Sequence, residues 1–229
     1  MNAAPTELPA QPFDLRGCAL ARLLLPLALA RLMLWLARLL LRLARALLRL
    51  AGWRVDFHGL PTAQGVAVVY PHTANWDFVV QMQAKGSIGL PVTFWGKASL
   101  FRIPLFGAWL RVMGGLPVLR HTPQGAVARM KTEMQAACAQ GRFMWLGLSP
   151  ECTRQRTEGW RSGCYRVAQQ SGVPVALVAL DSSQRRVCFD SFWRLCGEPA
   201  ADFAVFARRL SGTRGRHPQC AAPVRLLEG

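Results

Sequence analysis

The segment PHTANWDF, Pro71 to Phe78, sets a histidine and an aspartate five residues apart, directly after the apolar run Gly65 to Tyr70. On one continuous helix, positions i and i+5 point about 140° apart, so His72 and Asp77 meet only if the backbone turns between them. The apolar run has the length and composition of a buried strand, and Pro71 ends it. Thr73 or Asn75 is placed to cap a helix beginning near Trp76. His72 then lies in the turn and Asp77 in the first helical turn, where the helix dipole favours a carboxylate that reaches back to one imidazole nitrogen. An imidazole oriented by a carboxylate is a general base. The same pattern also describes a capping histidine beside a first-turn aspartate that merely suits the helix end.

The elements that must position this pair alternate in type. Short runs consistent with strands are Trp53 to His58, Gly65 to Tyr70, Val92 to Trp95, Pro117 to Leu119, Phe143 to Leu146, Val175 to Leu180 and Arg186 to Phe189. Helical patterns cover about Trp76 to Lys85, Pro104 to Met113, Pro123 to Ala139, Ser162 to Gln170 and Asp202 to Leu210. The alternation implies an α/β domain over residues 52–229, with a mixed, largely buried sheet flanked by helices. A chain of 229 residues is long enough for one such domain and an appendage.

The appendage comes first. Residues 1–14 read as a polar, proline-containing, mobile lead. Residues 15–51 are rich in leucine and alanine, and no acidic residue occurs from Leu15 to Val55. Arg31, Arg38, Arg42, Arg45 and Arg49 fall on a stripe about 60° wide of one amphipathic helix, roughly Leu27 to Leu50. Pro26 kinks or separates a shorter apolar piece before it. At the centre of a membrane each Arg costs about 2.5–3.5 kcal/mol and each Leu contributes about −0.5, so five arginines outweigh twelve leucines. On an anionic surface each arginine instead gains about 1 kcal/mol. The helix is therefore expected to lie in the interface at the cytoplasmic face of a membrane, although packing on its own domain also suits the pattern. Arginine interrupts every candidate apolar core of a cleavable signal peptide.

Twenty-eight lysines and arginines, nearly all arginine, against 12 acidic residues give a formal charge of +16, so the chain seeks an anionic partner. Trp76, Trp95, Trp109 and Trp145 suit a core or the wall of an apolar pocket better than an aromatic platform, and no nucleic-acid partner is expected. Seven scattered cysteines, with no C-x-x-C, fit a reducing compartment. His58, His121 and His217 have no ligand spacing, so no metal is expected.

Three further segments stand downstream of His72: Gly96 to Arg120, with paired glycines and a terminal arginine; SPECTR, Ser149 to Arg154; and VPVALVALD, Val173 to Asp181. With H-x-x-x-x-D, in this order and at these intervals, they resemble the four sequence blocks of the glycerolipid acyltransferase family, which includes 1-acyl-glycerol-3-phosphate acyltransferase. The resemblance runs from about Val55 to Val178. It implies a membrane-associated O-acyltransferase fold and activity, with acyl-CoA or acyl carrier protein as thioester co-substrate and a lysophospholipid-type alcohol as acceptor. His72 would deprotonate the acceptor hydroxyl while Asp77 holds its tautomer. Gly114, Gly115 and Arg120 match the block ending in arginine, with Arg120 meeting the acceptor phosphate. Glu151, Thr153 and Arg154 match the P-E-G-T-R block that shapes and charges the acceptor site. Val173, Pro174 and Val175 match the fourth block, assigned to acyl-donor or structural roles.

Cys152 stands where the family has glycine, so a need for positive φ there would strain the loop. Ser149 replaces the usual phenylalanine. A thioester is attacked directly by an alkoxide-like oxygen, so neither a covalent enzyme nucleophile such as Cys152 nor a metal is required. A thioesterase or esterase would share the activated oxygen but use water, and an arginine-rich binder of anionic membranes would need only the charge.

Overall fold

The computed structural model describes residues 4–11, 39, 42–118 and 123–227. Among the described residues eight strands form one sheet: β1 (Thr6–Leu8), β2 (Arg54–Phe57), β3 (Gln64–Tyr70), β4 (Thr93–Lys97), β5 (Gly115–Val118), β6 (Met144–Leu148), β7 (Val175–Asp181) and β8 (Arg186–Arg194). Its order is β1-β8-β7-β3-β6-β4-β5, with β2 also on β8. β3 pairs in parallel with β6 and β7, and β4 in parallel with β5 and β6, whereas β7 and β8 run antiparallel. The sheet is mixed, and its centre is parallel because helices carry the chain back between those strands.

The helices are α1 (residues 42–50), α2 (Asn75–Ile88), α3 (Phe106–Val112), α4 (Pro123–Ala139), α5 (Gly163–Ser171) and α6 (Pro199–Leu210). The period of two along the central strands divides the core between the two faces. Val66, Val68 and Tyr70 of β3 pack with Met130, Tyr165 and Phe206 of α4, α5 and α6. Ala67 of the same strand joins Leu48 of α1, Val80 and Ala84 of α2 and Trp145 of β6 on the opposite face. Gly65 is needed beside Trp145, because a Cβ there would lie 2.4 Å from the indole ring.

The sequence reading differs from this architecture in three places. The lead read as mobile contains β1, whose Thr6–Leu8 pairs antiparallel with Arg194–Phe192. Its three residues carry no strand pattern of their own; β8, nine residues long, offers an edge that β2 covers only from Arg186 to Phe189. Neither Thr73 nor Asn75 caps α2. The N-cap is Ala74, and the carboxylate of Asp77 accepts the Thr73 and Ala74 N–H groups at 2.7 and 2.8 Å. Trp145 is fully buried and Trp95 half-buried, but Trp76 and Trp109 are on the surface. Of the helix expected from Leu27 to Leu50, Leu39 and residues 42–50 are helical and the remainder, with Pro26, lies outside the described residues.

Candidate active site

Pairing of Val68 with Leu148 brings the carboxyl ends of β3 and β6 to one edge of the sheet, so the chain segments that follow them, His72 and Glu151, emerge side by side. From β3 the chain proceeds through α2 to β4, beyond β6; from β6 it proceeds through α5 to β7, on the other side of β3. This divergence is a topological switch point, the usual ligand crevice of an open α/β sheet.

His72 follows Tyr70 and Pro71, whose peptide bond is cis, and its side chain is 13% exposed. Its Nδ1 lies 3.8 Å from Asp77 Oδ2, within ion-pair range but beyond a hydrogen bond. The Asp77 oxygen is already engaged by the two backbone N–H groups at the start of α2, so it acts on the imidazole through charge. Gln81, one turn further along α2, brings Nε2 to 3.4 Å from the same Nδ1, so the tautomer depends on which end of that amide faces the ring. Burial pushes the His72 pKa below its ordinary value; Asp77 opposes this shift and the positive charge of Arg154 adds to it. The imidazole is neutral near pH 7 and available as a base.

Glu151, 1% exposed, fixes the backbone beneath the imidazole. Its Oε2 accepts the His72 N–H at 2.6 Å and its Oε1 accepts the Ala222 N–H at 2.9 Å. Burial raises its pKa, the two N–H bonds oppose the rise, and Asp77 adds to it. The same C-terminal segment is held by Tyr70, whose hydroxyl donates to the Ala222 carbonyl at 2.9 Å, and by Thr73, whose Oγ1 accepts the His217 N–H at 3.2 Å. Gly215 passes so close that a Cβ would sit 2.7 Å from Thr73 Oγ1. Sequence reasoning missed Gln81, Tyr70 and this segment, and gave Thr73 only the role of a helix cap. Gln81 alone left a trace, four residues after Asp77 on one helix face.

Cys152 adopts φ 54°, the left-handed region that favours the glycine it replaces. Thr153 Oγ1 accepts the Gln155 N–H at 3.3 Å, and Arg154 is exposed. Gly114 (φ 85°) and Gly115 lie at the start of β5 and allow close packing: a Cβ on Gly114 would meet the Val92 carbonyl at 2.9 Å, and one on Gly115 the Leu110 carbonyl at 2.7 Å. Lys85 of α2 reaches the same place, donating to the Met113 carbonyl, and burial lowers its pKa to about 8. Val173, Pro174 and Val175 are buried, and the Pro174 carbonyl accepts the Val66 N–H at 3.0 Å, tying β7 to β3. Arg120 and His121 lie outside the described residues. Among the described residues no group of three His, Cys, Asp or Glu side chains is arranged to hold a metal ion.

The site is thus a histidine–aspartate pair at the carboxyl end of a central strand of a mixed α/β sheet. The family model described as Acyltransferase matches residues 54–181, more than half of the chain, and the chain belongs to that family. It is 24% identical over 131 residues to a Brassica napus protein named 1-acyl-sn-glycerol-3-phosphate acyltransferase BAT2, chloroplastic. The match covers 56% of this chain and 37% of that relative, so the chain spans little more than a third of the relative's length. The crystal structure of PlsC, the 1-acyl-sn-glycerophosphate acyltransferase of Thermotoga maritima, aligns with 68% of this chain and 66% of its own, at 15% identity and a TM-score of 0.44.

Proposed function

We propose that this chain transfers a fatty acyl group from acyl-CoA or acyl carrier protein to the free hydroxyl of a lysophospholipid such as 1-acyl-glycerol-3-phosphate. The observation that carries the reading is His72, held neutral and flanked by Asp77 at the end of β3, in a chain of the acyltransferase family. The proton is assigned to Nδ1, which the Asp77 charge favours and the Gln81 amide permits with its oxygen toward the ring, leaving the Nε2 lone pair for the acceptor. Nε2 takes the hydroxyl proton as the oxygen attacks the thioester carbonyl. The tetrahedral intermediate then expels the thiolate, which receives that proton from the imidazolium. Glu151 keeps the His72 backbone in place, while Arg154, near enough to depress the imidazole pKa, supplies positive charge for an acceptor phosphate. Arg120 is assigned to the same phosphate by its place in the motif. Gly114 and Gly115 serve that subsite through close backbone packing and Thr153 through the loop it braces, while Val173, Pro174 and Val175, at the start of the strand beside His72, keep an acyl-donor or structural role.

The acceptor is amphiphilic, and the reading places the reaction at the cytoplasmic face of a membrane. In support, Leu39, Leu43, Leu47 and Leu50 form an exposed stripe, while Arg45 on the other side of α1 donates to the Ser87 carbonyl at 2.5 Å. No helix among the described residues is long and apolar enough to cross a membrane.

The test is purified protein with labelled acyl-CoA and a panel of lysolipids. Acceptor-dependent diacyl product, lost in a folded His72→Ala variant, is the expected result. Free fatty acid alone would assign a thioesterase, and near-wild-type turnover by His72→Ala would sink the mechanism.

A further inference from the structure

α3 has the composition of a buried helix and the location of a surface one. Its sequence, FGAWLRV, contains a single polar residue, Arg111. Leu110 and Gly107 face the small core formed with Phe94 and Phe101, which suffices to hold the helix. The outward side carries Leu105 (88% exposed), Trp109 and Val112 (85% exposed), spaced i, i+4 and i+7 on one face, with Phe106 beside them. The preceding 3-10 turn, Ala98–Arg102, and its exit add exposed Leu100 and Ile103. A helix apolar on every side is normally covered, and a contiguous exposed patch of this kind marks an interaction surface.

The backbone presents this patch at a cost. Leu105 has φ 60° and ψ −53°, and the Phe106 N–H donates to the Pro104 carbonyl at 2.6 Å. This is a γ-turn of the positive-φ kind, rare and strained for a branched side chain. Folding alone would favour glycine at the tip, yet the most exposed position carries leucine.

The segment that carries the patch has charge of one sign. Between Asp77 and Glu133 the chain holds seven lysines and arginines and no acidic residue. Lys97, Arg102 and Arg111 lie within or beside the patch, all exposed. The surface is also continuous with the candidate active site. Trp109 packs edge-on against Phe78 of α2, with ring centroids 6.4 Å apart, and the first turns of that helix expose Trp76 and Val79, four and seven residues after His72.

We propose that this face is a bilayer-docking surface: the Leu105 tip and the Trp109–Val112 side of α3 insert among the acyl chains of an anionic membrane while Lys97, Arg102 and Arg111 meet its headgroups. It is separate from the leucine stripe of α1. It orients the domain so that the path along Trp76 and Val79 lies at the lipid interface, which is where an amphiphilic acceptor reaches His72. Its purpose rests on the acceptor proposed above, but its geometry does not.

The discriminating variant is Leu105→Gly in the full chain. Glycine adopts φ +60° without strain, so thermal stability should hold or rise. Partition onto vesicles of phosphatidylcholine and phosphatidylglycerol, read by cosedimentation, should nevertheless fall about tenfold from the lost side chain alone. Leu105→Glu with Val112→Glu should lower it further. In the same variants turnover of a bilayer-embedded lysolipid should drop, while turnover of a short-chain, water-soluble acceptor stays unchanged. Unchanged vesicle partition in both variants overturns the proposal. So does unchanged partition accompanied by loss of self-association or of carrier-protein binding, which would give the face to a protein partner. If partition falls but wild-type protein turns over neither acceptor, the docking surface stands and the acyltransfer reading fails.

Discussion

Replacing Glu151 by alanine separates two roles for this side chain, contact with the acceptor and support of His72. The carboxylate is 1% exposed and accepts two backbone N–H groups, from His72 at 2.6 Å and from Ala222 at 2.9 Å. Its removal leaves both donors unsatisfied in a space too enclosed for bulk water. Each buried unpaired donor costs about 1–3 kcal/mol. Relief of the carboxylate's own burial offsets part of this, so a net loss of about 3 kcal/mol is expected. For a chain of this size about 2–4 °C accompanies each kcal/mol, so Tm should fall by about 6–12 °C. The lost tether also lets the His72 backbone shift, so kcat should fall in the fraction that remains folded, with KM for the acceptor little changed. Thermal unfolding and steady-state kinetics below the transition read both effects. An unchanged Tm with a raised acceptor KM would refute the reasoning and return Glu151 to direct acceptor binding.

Three further substitutions follow from the same geometry. Because neutral His72 is the active form, the rate should rise with pH and reach a plateau below the ordinary imidazole range. Arg154→Gln removes a charge that lowers the His72 pKa and should move the acid limb to higher pH; Asp77→Asn removes the opposing charge and should move it lower while reducing the rate, both read from kcat/KM profiles. Cys152→Gly places glycine at φ 54° and should raise stability by about 1 kcal/mol with activity retained; loss of activity would instead make the thiol a participant.

Much of the architecture was legible because it is written in short-range pattern. Continuous apolar runs marked β3 and β7, the helical period marked α4 within its observed bounds, and five residues between His72 and Asp77 required a turn between strand and helix. Net charge and the acid-free stretches are counted directly from the chain. Tertiary structure decided what depends on residues distant in sequence. Glu151 reads locally as an acidic loop residue, and only the parallel pairing of β3 with β6 brings it under His72, 79 positions away. The Ala222, Thr73 and His217 contacts have the same origin, since a backbone N–H carries no sequence signature. β1 exists because β8 leaves an edge open, not because Thr6–Leu8 favours a strand. The outward face of α3 was hidden for the opposite reason: apolar composition looks the same whether a helix is covered or bare, and only the packing of Leu110 and Gly107 fixes which side remains for a partner.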